Sequence, residues 1–175
     1  MPFFSNRDIN RLALHWAMGN LAAALSYVFS PVFLIRAGLT PAQVFLAFAA
    51  ILALRFLMRP LVLLLAPAIG LKRTLILGIV LCALASPVLA LVDGIGPALA
   101  AFVAIAALGQ VFYCTCYHVF FTALGDADHR GSQVSAVQAL GAVANVFGPA
   151  LGGLLLTTVG PLPTFGAAYS SCSAG

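Results

Sequence analysis

Arg55 lies in an apolar stretch that opens at Pro41 and carries no other charge until Arg59. A guanidinium stays charged at any physiological pH. In apolar surroundings it must find an anion, reach a wet cavity, or extend its long stem to a polar edge. Arg55 stands 14 residues after Pro41, about 21 Å along a helix at 1.5 Å per residue. Arg59 follows one turn later on the same side. The chemistry open to Arg55 is anion contact in a cavity or one half of a gating ion pair. Snorkelling to the nearer edge is the alternative. A second set comprises Gln110, Tyr113, Cys114, Tyr117 and His118. Steps of three and four put them on one helix face. Such a stripe suits ligand contact or hydrogen bonding between helices. A third set is Gln138, Gly141, Asn145, Gly148 and Gly152, again at helical spacing. Asn20 and Tyr27, two turns apart, form a fourth, with His15 upstream.

None of these sets resembles a catalytic site. Ser132 and Ser135 lack a His–Asp pair, and no glycine run precedes Lys-Ser/Thr. Residues two apart project about 200° from each other on a helix, so Cys116 faces away from Cys114 and His118. No metal site, no cofactor and no enzymatic activity are expected. The four cysteines read as reduced thiols packed as small hydrophobes.

The elements that must position these residues follow from composition. Of 175 residues, 63% are hydrophobic, about 110 side chains, and 7% are charged. Soluble domains are about 45–50% apolar and about 25% charged. A soluble globule, a disordered chain and a nucleic-acid binder are excluded on that ground. A membrane-crossing helix takes about 20 apolar residues, so roughly five spans are affordable. The expected class is all-α, a polytopic transmembrane helical bundle whose first partner is the lipid bilayer.

The clusters Arg7–Arg11, Lys72-Arg73 and Asp126–Arg130 divide the apolar sequence into blocks. Residues 1–10 read as a cytoplasmic N-terminal tail, and residues 11–160 as the membrane domain. Its spans cover about 11–35, 41–65, 73–92, 98–124 and 132–159. Ser30-Pro31 should kink the first, because Pro31 lacks a backbone donor. Thr40-Pro41 should open the second as N-cap and first helical residue. Asp93–Pro97 reads as a tight outer turn. Residues 161–175 begin like a helix and end in small and polar residues, so they read as an incomplete sixth span. A cleaved signal peptide is disfavoured, since the first apolar run continues past any cleavage point to Ile35.

Lys and Arg concentrate on the cytoplasmic side of membrane proteins. With the N-terminus inside, Arg7, Arg11, Arg59, Lys72, Arg73 and Arg130 fall on or near the inner face, and Arg36 alone falls outside. The expected location is the inner (plasma) membrane, multi-pass, with a cytoplasmic N-terminus.

Three segments then resemble one family. Pro31-Val32-Phe33-Leu34-Ile35-Arg36-Ala37-Gly38-Leu39-Thr40-Pro41-Ala42-Gln43 resembles the first outer loop of major facilitator superfamily transporters. Gly70-Leu71-Lys72-Arg73-Thr74-Leu75-Ile76-Leu77-Gly78 resembles the end of their basic loop between spans 2 and 3. Arg130-Gly131 with Gly148-Pro149-Ala150-Leu151-Gly152-Gly153 is similar to their fifth-span antiporter motif. The chain departs from the pattern at two places. Pro67-Ala68 stands near the usual Asp-Arg pair, and Ala144 replaces a glycine of the longer motif.

The resemblance implies the N-terminal half of a twelve-span protein, built from inverted three-helix repeats with substrate at the midplane. Spans 1, 2, 4 and 5 would face the path, and span 3 would pack outside. The implied activity is secondary transport of a small solute by alternating access, with protons as the candidate coupling ion and a lean to antiport. Asn20, Tyr27, Arg55, Gln110, Tyr113, Tyr117, Gln138 and Asn145 would line the path. Gly70, Lys72, Arg73, Arg130, Gly148, Pro149, Gly152 and Gly153 would serve gating and packing. A truncated half, needing its missing C-terminal half or a second membrane chain, is expected to be inactive alone. The rival expectation is a small helical membrane protein that acts as an assembly module.

Overall fold

The computed structural model describes residues 7–124 and 130–158. Within them lie six α-helices and one 3-10 turn, with no strand among the described residues. The order is α1 Arg7–Ser26, a 3-10 turn Tyr27–Phe29, α2 Ser30–Arg36, α3 Pro41–Ile69, α4 Leu71–Ala90, α5 Pro97–Leu124 and α6 Arg130–Thr158. Four helices are long and apolar enough to cross a membrane: α3, α4, α5, and α6 over Gly131–Leu154. The chain therefore has the make-up of a polytopic membrane bundle. The expected incomplete sixth span, and the loop residues Asp126, Asp128 and His129, lie outside the described residues.

The expected first span is not one continuous helix. It breaks at the 3-10 turn and restarts at Ser30, with Pro31 in the first helical turn. A proline there needs no amide partner and has its φ preset for a helix, so the kink takes the form of a restart. The end of α2 is equally local. Gly38 adopts φ +90. Its N–H donates to the Ile35 carbonyl at 3.0 Å, and the Leu39 N–H donates to Leu34 at 3.1 Å. These two bonds make a Schellman stop. Leu34 and Leu39, the apolar pair that accompanies it, are both buried. Thr40 then caps α3 with a reciprocal box. The Thr40 N–H donates to Gln43 Oε1 at 2.9 Å, and the Gln43 N–H donates to Thr40 Oγ1 at 3.4 Å. The sequence Ala37–Gln43 thus encodes a complete stop and start.

Between α3 and α4 the expected loop over 66–72 is absent. The helix runs through Pro67 to Ile69, and Gly70 alone separates it from α4. Gly70 carries the reversal at φ +93, a region that side chains with Cβ disfavour. Its carbonyl accepts the Thr74 N–H at 3.1 Å and the Thr74 hydroxyl at 3.0 Å. Pro67 costs the helix one amide bond close to its end, where the loss is small. Lys72 and Arg73 consequently sit, exposed, in the first turn of α4. Cations at a helix N-terminus oppose its dipole. Helix stability therefore does not account for them.

The chain divides into two compact units. One holds α1, α6 and the end of α5 from Val119; the other runs from Phe29 to His118 and holds α2, α3, α4 and most of α5. The second unit has its own core, in which Leu34, Leu39, Val44, Ile51, Leu89 and Phe102 are buried together. A smaller cluster joins Val62 of α3 to Val111 and Phe112 of α5. Much of the remaining helix surface is large and apolar: Phe45 is 77% exposed and Phe56 73%. Faces of that kind suit hydrocarbon or further helices, not water.

Candidate functional site

The second unit gathers the arginines and the α5 stripe. Arg55 is half-buried on α3, and Arg59, one turn on, is exposed. Next to Arg59 on α3, Met58 and Val62 pack with Val111 and Phe112 of α5. On α5, Gln110, Tyr113 and Cys114 are half-buried, Tyr117 is buried and His118 is exposed. The Tyr113 and Tyr117 rings stack at 6.1 Å between centroids, and Tyr117 meets His118 edge-on at 5.8 Å. Cys116 is fully buried on another side, as the 200° projection requires. α5 is continuous over this stretch, so Gln110, Tyr113, Cys114 and Tyr117 share one side of it, and Arg55 lies on α3 in the same unit. The arrangement offers two permanent cations with an amide and two phenols on neighbouring helices. Such groups can bind and orient a polar group.

Two glycines seat α5 against α4. A Cβ at Gly78 would stand 2.6 Å from the Tyr113 backbone nitrogen, and one at Gly109 would stand 2.7 Å from that of Cys82. The pairs interlock, since 78 and 82 are one turn apart, as are 109 and 113. Backbone contact this close is the usual role of small residues in membrane helices. These glycines were not among the expected site residues. Their signal was available in the four-residue spacings Gly78 to Cys82 and Gly109 to Tyr113. Span 3, expected to carry little, thus positions the stripe through its glycine.

In the first unit α1 packs along α6. The covered face of α6 carries Gln133, Val137, Gly141, Ala144, Gly148 and Gly152, all buried. Gly148 touches Ala24 so closely that an added Cβ would overlap the alanine methyl. Gly141 is looser: a Cβ there would lie 3.6 Å from Trp16 and 3.8 Å from Asn20. Asn20 is half-buried, and its Nδ2 donates to the Trp16 carbonyl at 2.8 Å. Pro149 and Gly153 are partly buried beside the packed face.

The expected single face of α6 divides in two. Gln138 and Asn145 are exposed, about 70–90° round the helix from the centre of the packed face at 100° per residue. The glycines serve packing and leave the two amides uncovered. Gln133, buried to 1% exposure, is a polar residue the sequence reading passed over. The side chains of Tyr27 and Arg130 lie outside the described residues. Among the described residues, no group of three His, Cys, Asp or Glu is placed to hold a metal ion.

No known protein family, curated protein or solved structure matches this chain.

Proposed function

We propose that the chain is one wall of a secondary transporter that carries a small solute across a membrane by alternating access. The helices would sit with the N-terminus in the cytoplasm, following the Lys/Arg asymmetry. The observation that carries the reading is the half-buried Arg55 on α3 and the half-buried Gln110, Tyr113 and Cys114 on α5, held in one compact unit inside helices whose other faces are apolar. Polar groups at membrane depth are retained where they line a path or a wet cavity. The major facilitator resemblance supplies the alternating-access mechanism, with protons as the candidate coupling ion. Helices from a second set, in the same chain or another, would supply the opposite wall.

Pro149 and Pro60 suit such a role, because each removes an amide bond inside its helix and gives it a place to flex. Gly148, Gly152 and Gly153 would let α6 slide on α1 with little side-chain obstruction.

The rival reading, an assembly module, is favoured by one observation: the uncovered Gln138 and Asn145 of α6 would equally suit a partner helix. Spin labels at residues 110 and 145 separate the two, with labels at Phe56 and Leu64 as controls. In bilayers, the path reading expects collision with a water-soluble paramagnetic reagent at 110 and 145, and with oxygen alone at 56 and 64. Dry signals at both 110 and 145 would favour the module.

A further inference from the structure

We infer that the outer face of α4 holds an anionic phospholipid, with its headgroup phosphate on Lys72 and Arg73 and an acyl chain along Ile76, Val80 and Leu84. The inference goes beyond the transporter reading and stands whether or not the chain carries a solute.

The face is defined by what covers the other side of the helix. α4 buries Thr74, Gly78, Ala85, Ser86 and Leu89. Its close contact with α5 runs through Gly78 and Cys82. At 100° per residue, Ile76, Val80 and Leu84 project to the opposite side. They are uncovered, at 49%, 47% and 47% exposure. Lys72 and Arg73 are exposed as well. They project about 100° apart, and Ile76 and Val80 fall between them in that projection. Two cations thus stand at the head of an uncovered apolar strip. Arg73 to Leu84 spans about 16 Å at 1.5 Å per residue. One leaflet of hydrocarbon is about 15 Å deep, half of about 30 Å. The strip therefore has the layout of a lipid, charge at one end and one leaflet of hydrocarbon below it.

The local backbone holds the cations in place. Gly70 alone joins the two helices, and the Thr74 hydroxyl donates to its carbonyl at 3.0 Å. Lys72 and Arg73 consequently stand in regular helix beside the reversal, and their long stems can reach the headgroup level. Neither α3 nor α4 contains an Asp or Glu, so the hairpin cannot neutralise these charges itself. The helix dipole disfavours cations at this end. An anionic lipid offsets that cost and favours binding by about fivefold for each Lys or Arg it meets.

Quenching by brominated lipids in nanodiscs tests the proposal on the full chain. A single cysteine at Val80, in a chain whose native cysteines are replaced, carries a small fluorophore; a second preparation carries it at Leu91, exposed at the far end of the same helix. The discs are phosphatidylcholine with a minor share of brominated phosphatidylglycerol or brominated phosphatidylcholine. Both leaflets have the same lipids, so the orientation of the chain does not enter. At residue 80 the glycerol lipid should quench several-fold more per mole, up to about 25-fold if both cations engage. At residue 91 the two lipids should quench alike. The preference at 80 should fall as salt rises. Lys72→Gln with Arg73→Gln should abolish it, and Lys72→Arg with Arg73→Lys should keep it.

No preference at 80 in the parent overturns the proposal; that is the result if carboxylates of the chain, Asp126 and Asp128 among them, hold these cations instead. Equal preference at 80 and 91, or a preference that survives the double glutamine variant, overturns it as well. Circular dichroism checks that this variant keeps its helices, and the comparison of 80 with 91 and the salt series decide the matter without it. None of these outcomes bears on the transporter reading.

Discussion

At the scale of single residues, two glycines on one helix face make different demands. Gly148 of α6 has no room for a methyl against Ala24, whereas Gly141 has ordinary contact distances to Trp16 and Asn20. Replacing glycine by alanine inside a helix gains about 1 kcal/mol from propensity alone. Overpacking a tight contact costs about 1–3 kcal/mol. Gly141→Ala is therefore expected to be neutral or stabilising, and Gly148→Ala destabilising by up to about 2 kcal/mol. Thermal unfolding in detergent checks the pair; equal effects would mean that α1 and α6 do not meet as described. The sequence signalled that these were packing glycines through their spacing. It could not rank them, because rank depends on which atom of α1 lies opposite. Residues that act through the local backbone were more legible. Thr40 and Pro41 announce the start of α3 because capping needs only neighbours within one turn. Gly70 was also visible, but its reach was not: a single residue at positive φ reverses the chain where a longer loop was expected.

At the scale of elements, the interlocked pairs Gly78–Tyr113 and Cys82–Gly109 fix α5 on α4, and with it the polar stripe. Alanine at 78 or 109 would push backbone against backbone, with no flexible side chain to yield. Each substitution is expected to cost up to about 2 kcal/mol net of the helix-propensity gain and to separate the two helices. A disulfide-trapping pair across α4 and α5 should then form more slowly in either variant than in the parent. Unchanged trapping would show that the helices tolerate wider spacing. Helix periodicity gave the stripe itself, and the structure keeps Gln110, Tyr113, Cys114 and Tyr117 together on it. On α6 the same arithmetic merged two faces. Steps of three and four drift by about 20° over seven residues, and Gln138 and Asn145 begin at the edge of the packed face. Only the covering helix decides where that edge lies.

At the scale of the whole molecule, apolar composition made the class plain, and four helices have the length and apolarity to cross a membrane. The first expected span is the exception, divided by the 3-10 turn before Pro31. Its polar residues, Asn20 and His15 among them, dilute an amphipathic sequence that α6 partly covers. How a path forms was never written in one chain's periodicity, since a path has two walls and periodicity describes one. Alternating access is the claim on which the proposed function depends. It is tested most directly by two-sided labelling. A cysteine at Gln110, in a chain whose four native cysteines are replaced by serine or alanine, is exposed to a membrane-impermeant maleimide from either face of oriented vesicles. The vesicles carry the chain together with the helical set that supplies the opposite wall. Reaction from both faces, with each face protected when the other is locked by cross-linking, is the predicted result. Reaction from one face only, unchanged by the cross-link, would contradict it.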